Sequence, residues 1–461
     1  MHYRSTRGEV EGIAFKDAVM MGLAADGGLL VPETIPKFSA EDLEQLAALS
    51  YPDLAYAVMS RFTTDIPDDD LKSLINESYA AFDHPEITPV VHRDGVYVLE
   101  LFHGPTLAFK DIALQFLGNL FEYLLKQTGQ KMNILGATSG DTGSAAIYGV
   151  RGKENINIFI LHPHKRVSEI QKLQMTTVND ANVYNLAIRG TFDDGQRIVK
   201  EIFGDAEFKA EHRLGAVNSI NWARILAQIV YYVYAWARVR QRGINNVAFS
   251  VPTGNFGDIF AGYLAKRMGL PIDKLFLATN ENNILSRFVE EGVYAASEVQ
   301  ETWSPSMDIQ VASNFERYLF YLHGEDSGRL LQAMDDFRQK GRLSFTDDEQ
   351  KTIRTDFRSR AVSNQETLDE ISHFYKQTGY ILDPHTAVGI KTGRELVDHD
   401  VPLICLSTAH PAKFGDAVKK AIGFNPPRPP SLKGIEERKQ RMDIIDADSE
   451  SIKAYLAQNA L

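Results

Sequence analysis

The sequence predicts an α/β protein with two open, mainly parallel sheet units with flanking helices, plus a mostly helical N-terminal domain. The first indication is the repeated order of short apolar strands and helices from about residue 130 onwards. The second is that glycine-rich turns follow two of these strands and begin helices. The third is size, because 461 residues, 44% of them hydrophobic, are enough for two or three domains with large cores.

Strand signals are short apolar runs at 96–101, 133–138, 156–161, 183–188, 247–251, 275–278 and 403–406. Helical spacing is found at 15–23, 112–125, 144–150, 194–203, 220–238, 259–268, 330–339 and 348–360. Ser39 with Asp42 three residues later predicts a helix cap, and the acidic run at 68–70 predicts a solvated helix start.

This order of elements predicts four segments along the chain. They are a mostly helical N-terminal domain (1–92), an α/β domain (93–240), a second α/β domain (241–424) with a helical insertion at about 281–380, and a C-terminal linker and helix (425–461). The last segment begins Asn-Pro-Pro-Arg-Pro-Pro, which is typical of a stiff surface linker.

Composition excludes several classes of function. A net charge of −12 argues against binding to nucleic-acid backbones. The single cysteine, Cys405, allows no internal disulfide, which fits a reducing compartment. No apolar run approaches the roughly 20 residues of a membrane span, and the N-terminus has no apolar signal core. We therefore expect a cytoplasmic protein without nucleic-acid or membrane partners.

Lys110 stands at an unusual position for a charged residue. The Gly104–Pro105 pair turns the chain, and apolar residues then recur at helical spacing from Ile112 to Leu125, which puts Lys110 in the first helical turn. A helix N-terminus and apolar neighbours both disfavour the ammonium form. A neutral amine is what a Schiff base with an aldehyde cofactor requires. The alternative is a lysine that extends its amine into water.

The turn from Gly254 to Asp258 lies between a strand and a helix, an arrangement that binds anions through backbone N–H groups. It is neither GxGxxG nor a Walker A loop, so a single phosphate is favoured over a nucleotide. A βα turn without any ligand fits the pattern equally well. Asp258 would repel an anion, so we expect its side chain to cap the helix or point aside. A second turn begins at Ser139, and Thr408 ends a buried strand; each is a weak signal alone.

Four motifs together resemble the threonine synthase family, in the branch found in yeast and enteric bacteria. They are Leu101-Phe102-His103-Gly104-Pro105-Thr106-Leu107-Ala108-Phe109-Lys110-Asp111, Ala137-Thr138-Ser139-Gly140-Asp141-Thr142-Gly143, Pro252-Thr253-Gly254-Asn255-Phe256-Gly257-Asp258 and Ser407-Thr408-Ala409-His410-Pro411-Ala412-Lys413-Phe414. The resemblance implies a pyridoxal 5'-phosphate (PLP) enzyme of PLP fold type II, which converts O-phospho-L-homoserine and water to L-threonine and phosphate.

The resemblance also implies roles for individual residues. Lys110 would carry the cofactor as a Schiff base, and Thr408 would hydrogen-bond its pyridine nitrogen. The cofactor phosphate would be bound by Gly254, Asn255, Phe256, Gly257 and Asp258. The substrate carboxylate and the cofactor's phenolic oxygen would be bound by Ser139, Gly140, Asp141 and Thr142. Many relatives carry Asn in place of Asp141, whereas the branch that this chain resembles shares the Asp.

Several alternatives stay open. The substrate phosphate needs cationic donors, and the candidates are Arg224, which we favour, and Lys165 and Arg166. Lys413 is a second, weaker candidate for the Schiff-base lysine. His162 and His164 lack a third ligand, so no metal site is expected. His103 is expected to be a structural neighbour of the cofactor.

The same residues would also suit other functions. One alternative is a PLP-dependent phospholyase that releases a keto acid from a phosphorylated amino acid, and another is a cofactor-free binding module on the same fold. A monomer and a homodimer are both compatible with the sequence.

Overall fold

A computed structural model of the chain describes residues 1–138, 140–164 and 168–461. Its helices are α1 (Phe15–Met21), α2 (Ala40–Leu46), α3 (Tyr51–Met59), α4 (Asp68–Tyr79), α5 (Lys110–Thr128), α6 (Asp141–Val150), α7 (Glu169–Thr176), α8 (Phe192–Gly204), α9 (Ala206–Glu211), α10 (Trp222–Arg240), α11 (Gly257–Arg267), α12 (Ile284–Glu291), α13 (Phe315–Leu322), α14 (Ser327–Lys340), α15 (Asp347–Asp356), α16 (Asn364–Thr378), α17 (Pro384–Leu396), α18 (Gly415–Ile422) and α19 (Ser449–Asn459). Its strands are β1 (Tyr3–Ser5), β2 (Leu30–Pro32), β3 (Val90–Arg93), β4 (Val96–Glu100), β5 (Met132–Ala137), β6 (Ile156–Pro163), β7 (Val183–Ile188), β8 (Leu214–Gly215), β9 (Val247–Pro252), β10 (Ile272–Thr279), β11 (Val293–Ala295), β12 (Arg342–Ser344), β13 (Phe357–Ala361), β14 (Leu403–Ser407) and β15 (Asp443–Ile445).

The chain forms two compact units. The first comprises Met1–Ile75, Phe82–His103 and Ser219–Pro427, and the second comprises Asn76–Ala81, Gly104–Asn218 and Arg428–Leu461. These units divide the chain differently from the four expected segments, because strands far apart in sequence pair with each other. β4 lies beside β14, and β15 lies beside β7.

The first unit contains a six-stranded sheet in the order β13-β10-β9-β14-β4-β3. All neighbours are parallel except β3, which runs antiparallel to β4. Ile371, Phe374 and Ile390 of α16 and α17 pack on the sheet against Ala248 and Cys405, all of them fully buried. Burial of each apolar side chain of this kind contributes about 2 kcal/mol to the free energy of unfolding. The carboxyl ends of β9 and β14 carry the predicted glycine turn and Thr408.

The second unit contains a five-stranded parallel sheet in the order β15-β7-β6-β5-β8. One face packs Phe159 and Leu161 of β6 against Ile198 of α8 and Ile452 of α19. α5 and α6 approach closely at Gly118, where a Cβ atom would lie 1.9 Å from the carbonyl oxygen of Gly149. This glycine therefore lets the helix that begins with Lys110 pack tightly on the helix that begins with Asp141.

The α/β class with two mainly parallel sheets is confirmed, together with helical structure in the N-terminal residues. The predicted cap of α2 is present, since the Ser39 side chain and the Asp42 side chain each accept the other's backbone N–H. The prediction was wrong for one element. The sequence pattern predicted helix over 348–360, but the helix ends at Asp356 and 357–361 form the edge strand β13, paired with β10. Parallel pairing with a strand about 80 residues away leaves no local signal.

Across the described residues, no helix combines the length and the apolar character that crossing a membrane would require.

Candidate active site

Lys110 is the first residue of α5, as predicted, and its side chain is half-buried. Its Nζ lies 5.8 Å from the ring centroid of Phe109, within cation–π distance. The apolar residues that follow, from Ile112 to Leu125, are almost all buried. The lysine therefore lies at the positive end of a helix whose body is anchored in the core of the second unit.

The turn before Lys110 is folded back onto the first turn of α5. The Asp111 carboxylate, which is fully buried, accepts hydrogen bonds from the Thr106 N–H at 2.8 Å and from the Thr106 hydroxyl at 2.6 Å. Gly104 is required here, because a Cβ atom would lie 2.4 Å from the Asp111 Cβ. A buried carboxylate on the next residue therefore holds the backbone turn that precedes Lys110.

The second turn of this unit leads from β5 into α6. Ser139 lies outside the residues that the structure describes. The Thr138 hydroxyl oxygen accepts the N–H groups of Gly140 at 3.1 Å and Gly143 at 2.9 Å, which closes the turn. Asp141 begins the helix with its side chain 6% exposed, and Thr142 follows it in a half-buried position.

Helix α7 contacts both turns, a connection that sequence reasoning missed. Gln171 donates from Nε2 to the Asp141 carboxylate at 2.7 Å. Gln174, one turn further along, donates from Nε2 to the Thr106 carbonyl at 3.0 Å. Both glutamines are buried. The only sequence signal was two amide residues three positions apart, which is common on exposed helices as well.

The predicted glycine turn of the first unit joins β9 to α11. The Asn255 carbonyl accepts two hydrogen bonds from Asn314, from its backbone N–H at 3.0 Å and from its Nδ2 at 3.2 Å. Phe256 has a φ of 64°, a left-handed conformation that non-glycine residues adopt only at a cost. A Cβ atom on Gly254 would lie 2.9 Å from the Ser306 carbonyl oxygen. The turn is thus a tight backbone cradle.

Asp258 points aside from the turn. Its Oδ1 accepts hydrogen bonds from the hydroxyl groups of Tyr231 at 2.5 Å and Tyr232 at 2.8 Å, both on α10. Burial raises the pKa of Asp258 to about 6, and the two tyrosine hydrogen bonds oppose that rise. The Asp258 carboxylate therefore does not cap α11. The N-cap position of that helix is occupied by Phe256, and no side chain caps it.

We expect the raised pKa of Asp258 to make the protein less stable as pH rises. A carboxyl group with a folded-state pKa above its unfolded value favours folding only while it is protonated. Between its ordinary pKa of 3.8 and its folded value of about 6, this group should lower the free energy of unfolding by up to about 3 kcal/mol. Asp258→Asn should remove this pH dependence of the free energy of unfolding, which urea unfolding measures across this pH range.

Asp326→Asn, at the exposed cap of α14, is the control and should keep the pH dependence. An unchanged pH dependence in Asp258→Asn would contradict the assignment.

Arg224 is a buried cation that has no acid partner within the described part of the chain. It lies in the first turn of α10 with its side chain 3% exposed. Among the described residues, its Nε and Nη1 have no hydrogen-bond partner. Burial lowers the pKa of Arg224 to about 10, which still leaves it charged at neutral pH. A buried guanidinium with unsatisfied donors is costly by itself, so this residue is suited to bind an anion.

Thr408 follows the last residue of β14 and is buried. The hydroxyl of the preceding residue, Ser407, lies 3.1 Å from the Thr386 hydroxyl at the start of α17. Thr408 thus ends a central strand of the first sheet, at the same edge as the glycine turn after β9. The strand pairing brings these two predicted elements together.

The alternative residues are placed as follows. Lys413 is buried in a 3₁₀ turn, Pro411–Phe414, and not at the start of an apolar helix. His162 is buried on β6.

The ring nitrogens of His103 contact the carboxylates of Glu100 at 2.8 Å and Asp83 at 3.0 Å. Burial lowers the pKa of His103, but the two carboxylates outweigh this effect, so the pKa is raised above its usual value. Lys165 and Arg166 lie outside the described residues.

The residues present fit pyridoxal phosphate. A lysine at a helix N-terminus suits the aldehyde, and a backbone cradle without room for side chains suits the phosphate. The hydroxyl of Thr408 can donate a hydrogen bond to a pyridine nitrogen.

Comparison with known proteins also indicates a pyridoxal-phosphate-dependent enzyme. The chain matches the family described as "Threonine synthase N terminus" over residues 2–79, "Pyridoxal-phosphate dependent enzyme" over 82–400 and "Threonine synthase, C-terminal" over 386–456. It is 48% identical to threonine synthase of Pseudomonas aeruginosa over 463 aligned positions, covering 100% of this chain and 98% of that one.

Solved structures agree. A PLP-bound threonine synthase from Brucella melitensis superposes with a TM-score of 0.97 at 46% identity, covering 100% of this chain and 99% of that chain. Threonine synthase from yeast superposes with a TM-score of 0.95, also at 46% identity, covering 99% and 98%. The similarity spans the whole chain and includes both sheets. The chain therefore belongs to the threonine synthase family of pyridoxal-phosphate-dependent lyases.

Proposed function

We propose that the protein converts O-phospho-L-homoserine and water to L-threonine and phosphate. Membership of the threonine synthase family supports the reaction type. The observation that carries the choice of a phosphorylated substrate is Arg224, a buried guanidinium whose Nε and Nη1 find no partner among residues 1–138, 140–164 and 168–461. It lies on the helix that also supports the glycine turn. A second anion besides the cofactor's phosphate would satisfy it.

The cofactor contacts are assigned as follows. Lys110 would hold the cofactor covalently through its amine, and Thr408 would donate a hydrogen bond to the pyridine nitrogen. The cofactor phosphate would be held by the backbone of Gly254, Asn255, Phe256 and Gly257. Asp258 keeps its carboxyl group away from that phosphate because Tyr231 and Tyr232 bind it. When bound, pyridoxal phosphate supplies an electron sink for the carbanion that forms next to the substrate's amino group.

Lys110 is also assigned the proton transfers. With the substrate bound, the free Lys110 amine would take the Cα proton and would later return a proton to the product. Loss of phosphate requires removal of a second proton, from Cβ, and water then adds at Cβ with a proton returning at Cγ. The buried contact between Thr106 and Asp111 supports this assignment, because it holds the turn that directly precedes Lys110.

The turn of Ser139, Gly140, Asp141 and Thr142 is assigned to the substrate carboxylate. The first turn of α6 offers backbone N–H groups at a helix N-terminus, the usual environment for a carboxylate. The negative charge of Asp141 would oppose this contact, but its Oδ1 already accepts a hydrogen bond from Gln171. We therefore assign the contact with the substrate to the backbone and hydroxyl groups of the turn.

The proposal extends to a cytoplasmic enzyme that is a monomer or a homodimer. The single cysteine, Cys405, is fully buried on β14 and burial raises its pKa, so it is an unreactive thiol. Light scattering of the purified protein would distinguish the two oligomeric states.

Two measurements on the holoenzyme test the proposed function. Borohydride reduction followed by peptide mapping should place the label on Lys110, and a label on Lys413 would overturn that assignment. Incubation with O-phospho-L-homoserine should release threonine and phosphate in equal amounts. A keto acid in place of threonine would show a phospholyase and contradict the proposal.

A further inference from the structure

We propose that Asp383, His385 and Thr386, at the start of α17, are positioning residues for the cofactor contacts of the first unit. Through one branch they support the glycine turn, and through another they support the end of β14, where Thr408 lies. The inference rests on the proposed assignment of those two elements to the phosphate and the pyridine nitrogen of the cofactor.

Asp383 is the buried centre of this group, with 1% of its surface exposed. As the N-cap residue of α17 it accepts the backbone N–H of His385 at 2.9 Å. The same carboxylate also binds the His385 ring through Nδ1 at 2.8 Å, and it accepts the Thr386 hydroxyl. A helix cap needs only the backbone contacts. The two additional contacts direct the side chains of His385 and Thr386.

The first branch runs through His385, whose side chain is buried. Its Nε2 receives the backbone N–H of Ser306 at 3.2 Å. An N–H donor requires an unprotonated ring nitrogen, so the ring proton is on Nδ1, where it is donated to Asp383. The buried carboxylate therefore selects the tautomer that can bind Ser306.

Ser306 forms a wall of the glycine turn. A Cβ atom on Gly254 would lie 2.9 Å from the Ser306 carbonyl oxygen, closer than real Cβ atoms approach. The backbone of Ser306 thus limits how far Gly254, the first residue of the turn, can move towards it. A contact from His385 to the N–H of the same residue holds that wall in place.

The second branch runs through Thr386, which is fully buried. Its hydroxyl donates to Asp383 and lies 3.1 Å from the Ser407 hydroxyl, which can donate to it in turn. Ser407 is the last residue of β14 and directly precedes Thr408. One carboxylate is therefore linked to both of the strand ends that we assign to the cofactor in this unit.

Matched variants of His385 test the first branch. Asparagine at this position keeps a donor near Asp383 but cannot reach Ser306, whereas glutamine can present an acceptor to the Ser306 N–H. We expect His385→Asn to weaken binding of pyridoxal 5'-phosphate about tenfold, and His385→Gln to restore most of that loss. Pyridoxal, which lacks the phosphate, should bind both variants as it binds the wild-type protein. Equilibrium dialysis of the reconstituted enzyme with each compound measures this difference.

Thr386→Val tests the second branch. It should shift the absorbance maximum of the bound cofactor and lower kcat, while affinity for pyridoxal 5'-phosphate stays within about twofold of wild type. His323→Asn, which changes another buried histidine of the same unit away from these contacts, is the control and should change neither quantity. Circular dichroism verifies that each variant is folded.

The inference is overturned if His385→Asn binds pyridoxal 5'-phosphate as tightly as His323→Asn does, or if it weakens pyridoxal equally. It is also overturned if Thr386→Val leaves the spectrum and kcat unchanged. Failure of the proposed function is separate, because a wild-type enzyme that forms a keto acid instead of threonine would contradict the reaction while these binding differences remain.

Discussion

Lys110→Ala should abolish threonine formation, with kcat at least about 10³-fold below wild type. The change would remove both the proposed covalent attachment of the cofactor and the amine assigned to the proton transfers. The fold should persist, because alanine is the residue best suited to a helix and the preceding turn is held by Thr106 and Asp111. Threonine production and the borohydride label measure the loss, and circular dichroism checks the fold.

Lys126→Ala is the matched control for Lys110→Ala. Lys126 lies on the same helix, is exposed, and pairs with Glu122 at 2.8 Å. An exposed pair of this kind contributes little to stability, so this variant should keep full activity and the label on Lys110. Undiminished turnover in Lys110→Ala would show that the assigned mechanism is wrong.

Arg224→Met should change activity and stability in opposite directions. Loss of the charged donor that we propose for the substrate phosphate should lower kcat/KM for O-phospho-L-homoserine about 100-fold, mainly through KM. Replacing a buried, unsatisfied cation by an apolar side chain of similar length should raise the free energy of unfolding by about 1–3 kcal/mol. Steady-state kinetics and urea unfolding in phosphate-free buffer measure the two effects.

Arg238→Met, on the same helix, is the control for Arg224→Met. The Arg238 guanidinium donates to the carbonyl groups of Ala47 at 3.0 Å and Leu49 at 2.9 Å, so its partners lie within the fold. This variant should lose stability and leave KM unchanged. If Arg224→Met kept the wild-type KM, or was destabilised as Arg238→Met is, Arg224 would not bind the substrate phosphate.

Local patterns were sufficient to predict the elements that carry the candidate site. The apolar spacing after Lys110 predicted α5, and the strand–glycine–helix order predicted β9, the turn at Gly254 and α11. These signals are readable because the period of apolar residues and the need for glycine at tight turns act over a few neighbouring positions. The four motifs added the family, which the comparisons confirm.

The 281–380 segment shows where sequence reasoning was insufficient. It was expected to be a helical insertion without an assigned role. In the structure it contributes the edge strand β13 and two supports of the glycine turn, Ser306 and Asn314. A single asparagine in a loop gives no sign that its amide will meet the carbonyl of Asn255, about 60 residues earlier. Nothing local distinguishes it from an exposed asparagine.

The sequence by itself determined the two-sheet α/β class, the family, the position of Lys110 at a helix start and the glycine turn, since each depends on chemistry within a short stretch. Only the tertiary structure decided which buried polar groups support that turn and which lack partners. Strands and helices distant in the chain surround both residues. Asp383 therefore became the centre of a buried network, and Arg224 a cation with two nitrogens that lack partners in the described part of the chain. Burial and hydrogen-bond satisfaction are properties of that packing and not of neighbouring residues.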